Sequence, residues 1–326
     1  MPNIRAPRKG SLQFWPRVRS KRSYPKIRSW PDSKDTKLLG FIGYKAGMTH
    51  ITMIDQNPNS LTKNQPIFCP VTVIECPPLR ALSLRFYKKT DNGSKIVSEI
   101  FSQNLPKELE RKIYLPKKPN QPKEQNMGDV EDIKLVVYTQ PKLTGIGKKK
   151  PEILEVGIGG PDIKSKIDYA KSLLDKEISL SETFKEGQLL DVHAVTKGKG
   201  FQGTVKRFGV KIRQHKSEKV KRGVGSLGSW TPKRVSFRVA QPGKMGYHVR
   251  TEYNKKTLRI SNNPKEINPN GGFLHYGLIK NEYILLRGSV PGPSKRLIEM
   301  TEPIRSKDET PIKIPQIAYI SLESKQ

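Results

Sequence analysis

The amino-acid sequence predicts a mainly β protein with a small α/β insertion and two long basic extensions. Its apolar residues occur in many short runs rich in Ile, Val, Leu and Phe, which are bounded by Gly, Pro or Asn, as strands usually are. Apolar residues at helical spacing are rare. Most of the positive charge lies in two segments that contain almost no acidic residues. Many short strands favour a barrel or a sandwich for the core.

The strands and helices follow from local composition. The segments with strand composition are 38–42, 51–54, 67–75, 82–87, 133–138, 153–158, 189–195, 273–279 and 284–287. Apolar residues at helical spacing predict a helix over 162–176, and 106–114 is a shorter candidate. Segment 116–129, rich in Lys, Pro, Asn and Gln, is predicted to be a surface loop.

The positive charge is concentrated in residues 1–31 and 197–259. The first segment has nine Lys/Arg and no acid, and the second has 18 Lys/Arg against Glu218 and Glu252. The other 232 residues carry 34 of the 61 basic and 28 of the 30 acidic side chains. Because dense like charge repels itself, such segments are expected to be neutralised by a polyanion. RNA suits them better than DNA, because no three-helix DNA-binding unit is evident and the basic residues lie in Gly-rich loops.

The remaining composition restricts compartment and class. The longest apolar run, near 283–286, is too short to span a membrane, and no signal-peptide pattern begins the chain. We therefore expect a soluble, non-secreted protein. Five prolines in the first 31 residues argue against an amphipathic transit peptide. Cys69 and Cys76 are predicted to be buried thiols in a reducing compartment, and no Cys/His cluster has zinc spacing.

Gly198, Gly200 and Gly203 fit the GxGxxG pattern of dinucleotide-binding loops. The segment that follows is β-branched and interrupted by glycine where a nucleotide-binding helix should begin, and the kinase sequences HRD and DFG are absent. The glycines alternate with Lys and Arg, so they better suit a loop pressed against phosphates. Phe201 and Phe208 would be free to stack on bases or to anchor the loop.

Enzymatic chemistry has few candidate residues. The histidines are dispersed, HExxH is absent, and the central basic segment offers only two carboxylates. Asp191 and His193 alternate on one predicted strand and could form a catalytic dyad, but such residues are more often a half-exposed pair on one face. No catalytic, cofactor-binding or metal-binding residue is predicted.

Motifs spread along the chain closely resemble the ribosomal protein L3 family. They are APRKGSL at 6–12, GYKAGMTH at 43–50, Phe184 followed by Asp191, Ala194, Thr196, GKG at 198–200, Gly203 and Arg207, KRFG at 206–209, HK at 215–216, GSLGSW at 225–230, GYHVRT at 246–251, NPNGGF at 268–273 and GSVPGP at 288–293. The resemblance covers nearly the whole chain and is weakest over 90–182. The N-terminal block and the length are similar to the archaeal form.

The resemblance implies a translation-protein type β-barrel in the large ribosomal subunit. The N-terminal extension would be 1–37, the barrel 38–196 and 260–326 with its α/β insertion near 89–182, and the central finger 197–259. In the family the finger threads through rRNA towards the peptidyl transferase centre. The matching tip here is Gly228, Ser229 and Trp230.

The resemblance also implies the function and the partners. The chain would be a structural constituent of the large ribosomal subunit that binds rRNA, nucleates assembly and has no enzymatic activity. Its partners would be rRNA and neighbouring large-subunit proteins in the cytoplasmic ribosome, with no cofactor, membrane, small-molecule substrate or second copy of the chain.

The predicted rRNA-binding residues are basic and aromatic side chains of the two extensions, together with one lysine of the core. They are Arg5, Arg8, Lys9, Arg17, Arg19, Lys21, Arg22, Lys45, Lys197, Lys199, Lys206, Arg207, Lys211, Arg213, His215, Lys216, Lys219, Lys221, Arg222, Trp230, Lys233, Arg234, Lys244, His248, Arg250, Lys255 and Lys256.

Two alternatives remain open from the sequence. A free RNA-processing enzyme or ribosome-maturation factor would also carry basic segments, but it would release RNA after one round, whereas a ribosomal protein is retained in stoichiometric amounts. Trp230, which lies between Ser229 and Thr231, could instead belong to a small satellite core.

Overall fold

The computed structural model describes residues 10–115, 130–217, 219–305 and 313–323. It is mainly β, with 35% strand and 11% helix, which confirms the predicted class. The strands are β1 (Gly40–Ile54), β2 (Pro66–Glu75), β3 (Leu79–Thr90), β4 (Gly93–Phe101), β5 (Asp132–Tyr138), β6 (Ile153–Gly157), β7 (Glu177–Ile178), β8 (Leu189–Val195), β9 (Phe201–Gln202), β10 (Gly243–Lys244), β11 (Val249–Ser261), β12 (Tyr283–Arg287), β13 (Leu297–Thr301) and β14 (Ile317–Ile320). The helices are α1 (Ile163–Leu173), α2 (Leu180–Thr183) and α3 (Thr204–Phe208), with 3-10 turns at Lys107–Arg111, Pro141–Leu143 and Pro264–Glu266.

The larger sheet has seven strands in the order β13-β8-β11-β12-β2-β1-β14, and β13 also pairs with β1. This extra pairing closes a ring of six strands. Strand β1 makes the closure possible because it is long: its first part, Gly40 to Tyr44, pairs with β13, and Ile51 to Met53 pair with β14. The sheets are not one clean barrel, since β14 extends beyond the ring and β3 to β7 form a second sheet that is not hydrogen-bonded to it.

Glycine allows β1 and β2 to lie close together inside the ring. A Cβ atom on Gly43 would lie 2.6 Å from the Cγ2 atom of Ile74 and 2.7 Å from the Sγ atom of Cys76. Real Cβ atoms do not approach other atoms that closely, so any other residue would force the strands apart.

The second sheet has the order β4-β3-β5-β6, and β7 pairs with β3. Helix α1 lies where the sequence predicts a helix and contributes the buried Ala170 to the core. One hydrophobic cluster includes Phe41 and Leu285 of the ring together with Leu84 and Leu135 of the second sheet. The two sheets therefore share a core. The predicted loop at 116–129 lies outside the described residues.

Two sequence-based assignments are wrong, and two predicted strands are one. The segments 38–42 and 51–54 fall largely in strand, as predicted, but in the single long strand β1, and 106–114 holds only a 3-10 turn instead of a helix. Segment 273–279 is not a strand but a tight turn, in which the Phe273 N–H donates to the Gly277 carbonyl at 2.9 Å. Positive φ angles at His275 and Gly277 bend the backbone there.

Asp191 and His193 are buried in the core and form no dyad. The Asp191 carboxylate accepts the N–H groups of Asn254 at 2.8 Å and Ile304 at 3.0 Å. The His193 ring nitrogens lie 2.9 Å and 3.1 Å from the hydroxyls of Thr251 and Thr301. Burial lowers the pKa of His193. The prediction of a half-exposed pair is wrong, and both side chains serve the fold.

Cys69 and Cys76 are buried and free, as predicted. Burial in apolar surroundings raises the pKa of both thiols. Within the described ranges, no three or more His, Cys, Asp or Glu side chains are grouped so that they could hold a metal ion. No described helix has the length and apolar character needed to cross a membrane.

The chain divides into two compact units. One contains Val195–Val249 and the described residues up to Ser23, and we call it the basic unit. The other contains Tyr24–Ala194 and Arg250–Gln326, and we call it the β unit. Both sheets described above lie in it except for Val195 of β8 and Val249 of β11, and the short β9–β10 pair lies in the basic unit. The predicted boundaries at 37, 196 and 259 remain predictions.

Candidate nucleic-acid interface

The surface of the basic unit is dominated by cationic side chains. Every Lys and Arg of Val195–Val249 is exposed except Arg207, which is half-buried. Glu218 is the only acid in this sequence range. Because so few apolar residues are available, turns, backbone hydrogen bonds and cation–π contacts must hold this unit together.

Two basic segments run antiparallel to each other where β9 pairs with β10. The Lys199 N–H donates to the Met245 carbonyl at 2.8 Å, and the Met245 N–H donates to the Gly200 carbonyl at 2.9 Å. Gly246 has a φ of +74°, and a Cβ there would lie 2.1 Å from the Lys197 carbonyl oxygen. Glycine is therefore required at 246, because only a residue without a Cβ lets the two lysine-bearing segments lie side by side.

Helix α3 begins directly after Gly203, the last glycine of the GxGxxG pattern. The expectation that no helix begins there is wrong, but α3 has only five residues and ends at Gly209, whose φ is +68°. Arg207 donates from Nε to the Lys244 carbonyl at 3.2 Å and from Nη1 to the Gln241 carbonyl at 2.9 Å. The glycine-rich loop is therefore bonded to the returning segment of the same unit.

The N-terminal segment packs on this loop through aromatic rings. The centroid of the Trp15 ring lies 5.4 Å from that of Phe208 and 6.3 Å from that of Phe237. The guanidinium of Arg17 lies 4.3 Å from the Phe208 centroid, and its Nη1 donates to the Arg207 carbonyl at 2.9 Å. Of the two phenylalanines predicted to stack or anchor, Phe208 is the buried anchor, and Phe201 is 72% exposed.

His248 and Tyr247 hold the end of the same N-terminal segment. The Nδ1 atom of His248 lies 2.7 Å from the Val18 carbonyl, so it must carry the proton and donate. The Ser20 N–H donates to the Tyr247 carbonyl at 2.8 Å, and the guanidinium of Arg19 lies 4.9 Å from the centroid of the Tyr247 ring. His248 therefore has a role within the protein.

Trp230 begins a turn within Val195–Val249. The Lys233 N–H donates to the Trp230 carbonyl at 2.8 Å, and the Lys233 Nζ atom lies 5.6 Å from the indole centroid. The side chain is 83% exposed, so it does not belong to a satellite core. An exposed indole beside an ammonium group offers a stacking surface next to a cation.

Comparison with known proteins identifies the family. The model of the family described as Ribosomal protein L3 matches residues 1–326. The chain belongs to the ribosomal protein L3 family. The large ribosomal subunit protein uL3 of Methanocaldococcus jannaschii is 50% identical over 331 residues, which cover 99% of this chain and 98% of the relative. The proteins of the same name from Methanobrevibacter smithii and Archaeoglobus fulgidus are 49% and 48% identical, with 98% of each chain covered. The relatives are archaeal, as the resemblance implied.

The structure distributes the predicted rRNA-binding residues of this L3-family chain over three environments. The exposed ones are Arg19, Lys21, Arg22, Lys197, Lys199, Lys206, Lys211, Arg213, His215, Lys216, Lys219, Lys221, Arg222, Trp230, Lys233, Arg234 and Lys244. The half-buried ones are Arg17, Arg207, Arg250, Lys255 and Lys256, and the buried ones are Lys45 and His248. Arg5, Arg8 and Lys9 lie outside the described residues. Of the predicted tip, Gly228, Ser229 and Trp230 are all exposed.

Of the predicted rRNA-binding residues, Lys45 has the surroundings that least favour contact with RNA. Its Nζ atom donates to the carbonyls of Val290 at 2.5 Å and Gly292 at 3.0 Å. Burial lowers the pKa of this ammonium group, although the nearby Glu252 opposes the shift. Because its donors are directed at carbonyls of the fold, Lys45 holds a loop against β1.

Sequence reasoning missed Trp15 and Phe237, whose rings attach the N-terminal segment to the central one. The available signal was an aromatic residue within a basic segment that lacks acids, as in Phe237 followed by Arg238. That pattern identifies an aromatic residue but not whether it stacks on RNA or on its own chain.

Proposed function

We propose that this chain is a structural constituent of the large ribosomal subunit and that its basic unit binds rRNA in the cytoplasmic ribosome. One observation carries the proposal: the cations of Val195–Val249 are displayed on the surface, in a range whose sequence contains a single acid, Glu218. A surface of that charge is self-repulsive, and the phosphates of a folded RNA neutralise it. The relatives are named as large ribosomal subunit proteins, which supports the same conclusion.

Two kinds of contact are expected within this interface. Exposed Lys and Arg side chains bind phosphate oxygens, which fixes the position of the protein without reading sequence. The exposed rings of Phe201 and Trp230 stack on unpaired bases, which folded RNA offers in loops and bulges.

The finer proposal is that the central segment is a finger that extends towards the peptidyl transferase centre, with Gly228, Ser229 and Trp230 at its tip, and that binding nucleates subunit assembly. We propose no catalytic activity and no cofactor. The hydrogen bonds that hold Asp191 and His193 within the core support this view. Neighbouring large-subunit proteins complete the set of partners, and the chain acts as a single copy.

Retention in the subunit tests the proposal. A tagged chain is expressed in an archaeal host, and large subunits are purified in high salt and quantified by mass spectrometry. We expect one copy of the chain per subunit. Release of the chain after one cycle of assembly would instead support the maturation-factor alternative.

A charge-matched pair of variants tests the interface itself. The triple variant Lys219→Gln, Lys221→Gln and Arg222→Gln removes three exposed cations of the basic unit. Its control, Lys164→Gln, Lys171→Gln and Lys176→Gln, removes three exposed cations in and after α1. For rRNA binding, the first variant should flatten the slope of log affinity against log salt by about 2 to 3, and the control should leave it unchanged. Equal slopes for the two variants would contradict the proposed interface.

A further inference from the structure

The outer face of β2, β1 and β14 presents aromatic side chains to solvent. Alternation along β1 puts Met48, His50 and Thr52 on one face. Thr52 is paired with Phe68 of β2 on one side and with Tyr319 of β14 on the other. The side chains of Phe68 and Tyr319 therefore flank Thr52 on the same face. We call the surface of these five residues the aromatic face.

Three large apolar or aromatic side chains of this face are exposed. Phe68 is 68% exposed, Tyr319 51% and Met48 37%. The imidazole of His50 stacks on the Phe68 ring with centroids 4.8 Å apart and planes inclined by 29°. Contiguous exposed apolar surface on a soluble protein usually marks an interaction site.

A cleft adjoins the aromatic face at Met48. Its volume is about 220 Å³, and its lining includes the side chains of Met48, Phe273 and Leu274. A cavity of about 150 Å³ holds a benzene ring, so this cleft can admit one aromatic or aliphatic side chain. Buried anchors of that kind contribute much of the binding energy at protein interfaces.

The charge of this surface distinguishes it from the basic unit. None of the five residues of the aromatic face carries a formal charge, in a chain whose net charge is +31. Among the described residues that line the cleft, the only Lys, Arg, Asp or Glu is Glu323, which repels phosphate. A surface without cations and with an acid at its margin is poorly suited to an RNA backbone. It has the composition of a protein–protein interface core, which is rich in aromatic residues and Met and poor in charge.

Strand β14 adds a second recognition element. It is the last strand of the larger sheet and pairs only with β1 among the described strands. Alternate residues of such an edge strand direct N–H and C=O groups away from the sheet, where an extended peptide can pair with them.

We propose that the aromatic face is a docking surface for another protein of the large subunit. The partner lays an extended, uncharged segment along the open edge of β14 and inserts one apolar side chain into the cleft beside Met48. This inference rests on the proposed function, because the subunit supplies the partner.

Photo-crosslinking in the assembled subunit tests the docking surface. Tyr319→p-benzoylphenylalanine places a probe on the face, and Tyr114→p-benzoylphenylalanine places the same probe at a fully exposed tyrosine outside it. The 319 probe should crosslink to one polypeptide that the 114 probe does not label. Phe68→Ser, an exposed substitution, should reduce that crosslink several-fold in subunits washed with high salt, because apolar contacts survive salt that screens charges.

The outcomes separate the two proposals. Absence of the chain from purified subunits would contradict the proposed function. Presence of the chain at one copy, with a 319 probe that labels only rRNA or nothing, would overturn the docking surface alone. If Phe68→Ser and Tyr319→Ser both leave the occupancy of the crosslinked protein unchanged after the wash, the contact is incidental and the proposal fails.

Discussion

At the scale of single residues, Trp230 at the proposed tip is expected to matter for the activity of the subunit more than for incorporation of the chain. Its indole is exposed, and a base stack is worth about 1 to 3 kcal/mol by alanine substitution. That is small beside an interface of many phosphate contacts. We therefore expect Trp230→Ala to assemble at near-normal stoichiometry yet to alter transfer-RNA binding or peptide-bond formation.

The measurements are occupancy by mass spectrometry and single-turnover peptide-bond formation on purified subunits. Leu227→Ala, a half-exposed aliphatic residue in the same turn region, is the control and should behave normally. Normal kinetics in fully occupied Trp230→Ala subunits would contradict a functional role for the tip. Failed incorporation would make Trp230 a structural anchor.

Gly246 provides a second test at this scale, with Gly200 as its matched control. The two have φ angles of +74° and +66°, but only at Gly246 would a Cβ meet another atom, the Lys197 carbonyl oxygen at 2.1 Å. Gly200→Ala should lower the free energy of unfolding by about 1 to 2 kcal/mol, because alanine disfavours the left-handed backbone conformation. Gly246→Ala should lower the free energy of unfolding by more than that, because the two basic segments must also move apart. Hydrogen exchange at the N–H groups of Lys199 and Met245 measures the difference, and equal protection in the two variants would contradict it.

Glu299 should make stability depend on pH. Its carboxylate is buried on β13, and neither oxygen has a hydrogen-bond partner within the described part of the chain. Burial, assisted by the negative charge of Glu155, raises its pKa well above the usual value. The folded state thus retains a proton that the unfolded state releases once the pH exceeds about 4.3. Stability falls by up to about 1.4 kcal/mol per pH unit from there until the folded-state pKa is passed.

Glu299→Gln removes this titration and keeps the shape of the side chain. We expect the variant to match the parent chain near pH 4.5 and to be more stable at pH 7, by an amount that grows as the pH rises between them. Urea unfolding of the isolated chain across this range is the measurement. Parallel curves for the variant and the parent would show that the carboxyl group is charged in the fold.

At the scale of elements, the sequence was most informative where burial follows composition. Composition predicts strand β8 with its observed limits because 189–195 is rich in Leu and Val and follows Gly187. Strand β11 was missed because Val249–Ser261 contains Arg, Glu, Asn and Lys, and its pairing with β8 and β12 overrides that composition. Segment 273–279 forms a turn because Gly277, with Gly271 and Gly272 just before the segment, favours a turn more strongly than the apolar residues favour a strand.

The candidate site was predictable in its charge but not in its contacts. Basic residues without acids identify a polyanion-binding segment from sequence alone. Whether a given residue faces RNA depends on packing between distant parts of the chain. Lys45 and His248 were predicted as RNA contacts, and both are buried with donors directed at carbonyls. No local pattern distinguishes such residues from exposed ones.

The packing of Trp15 makes a prediction about the N-terminal segment as an element. Aromatic pairs add about 0.5 to 1.5 kcal/mol beyond their area burial, and Trp15 contacts both Phe208 and Phe237. Trp15→Ala should therefore loosen this segment and speed tryptic cleavage at Arg17 and Arg19 in the isolated chain. Leu12→Ala, an exposed residue of the same segment, should cleave at the parent rate. Unchanged cleavage in Trp15→Ala would mean that the aromatic contacts do not hold the segment.

At the scale of the whole molecule, the separation of charge between the two units predicts a steep salt dependence. If about ten cations meet phosphates, log affinity for rRNA should fall against log salt with a slope of roughly minus 7 to minus 9. Direct titration of the isolated chain with an rRNA fragment measures it. A slope near minus 2 would mean that the β unit, which has 40 basic and 29 acidic residues, dominates binding.

The closure of the six-strand ring also orders events during synthesis. The ring closes when Gly40, near the start of β1, pairs with Thr301 at the end of β13. Translation therefore delivers Val195–Val249, with its dense positive charge, before β11, β12 and β13 exist. Until Leu297–Thr301 has emerged, β1 and β8 lack β13, and their open edges can pair with other chains. A chain that stops before residue 297 therefore combines open strand edges with dense positive charge, and it is expected both to aggregate and to bind RNA nonspecifically.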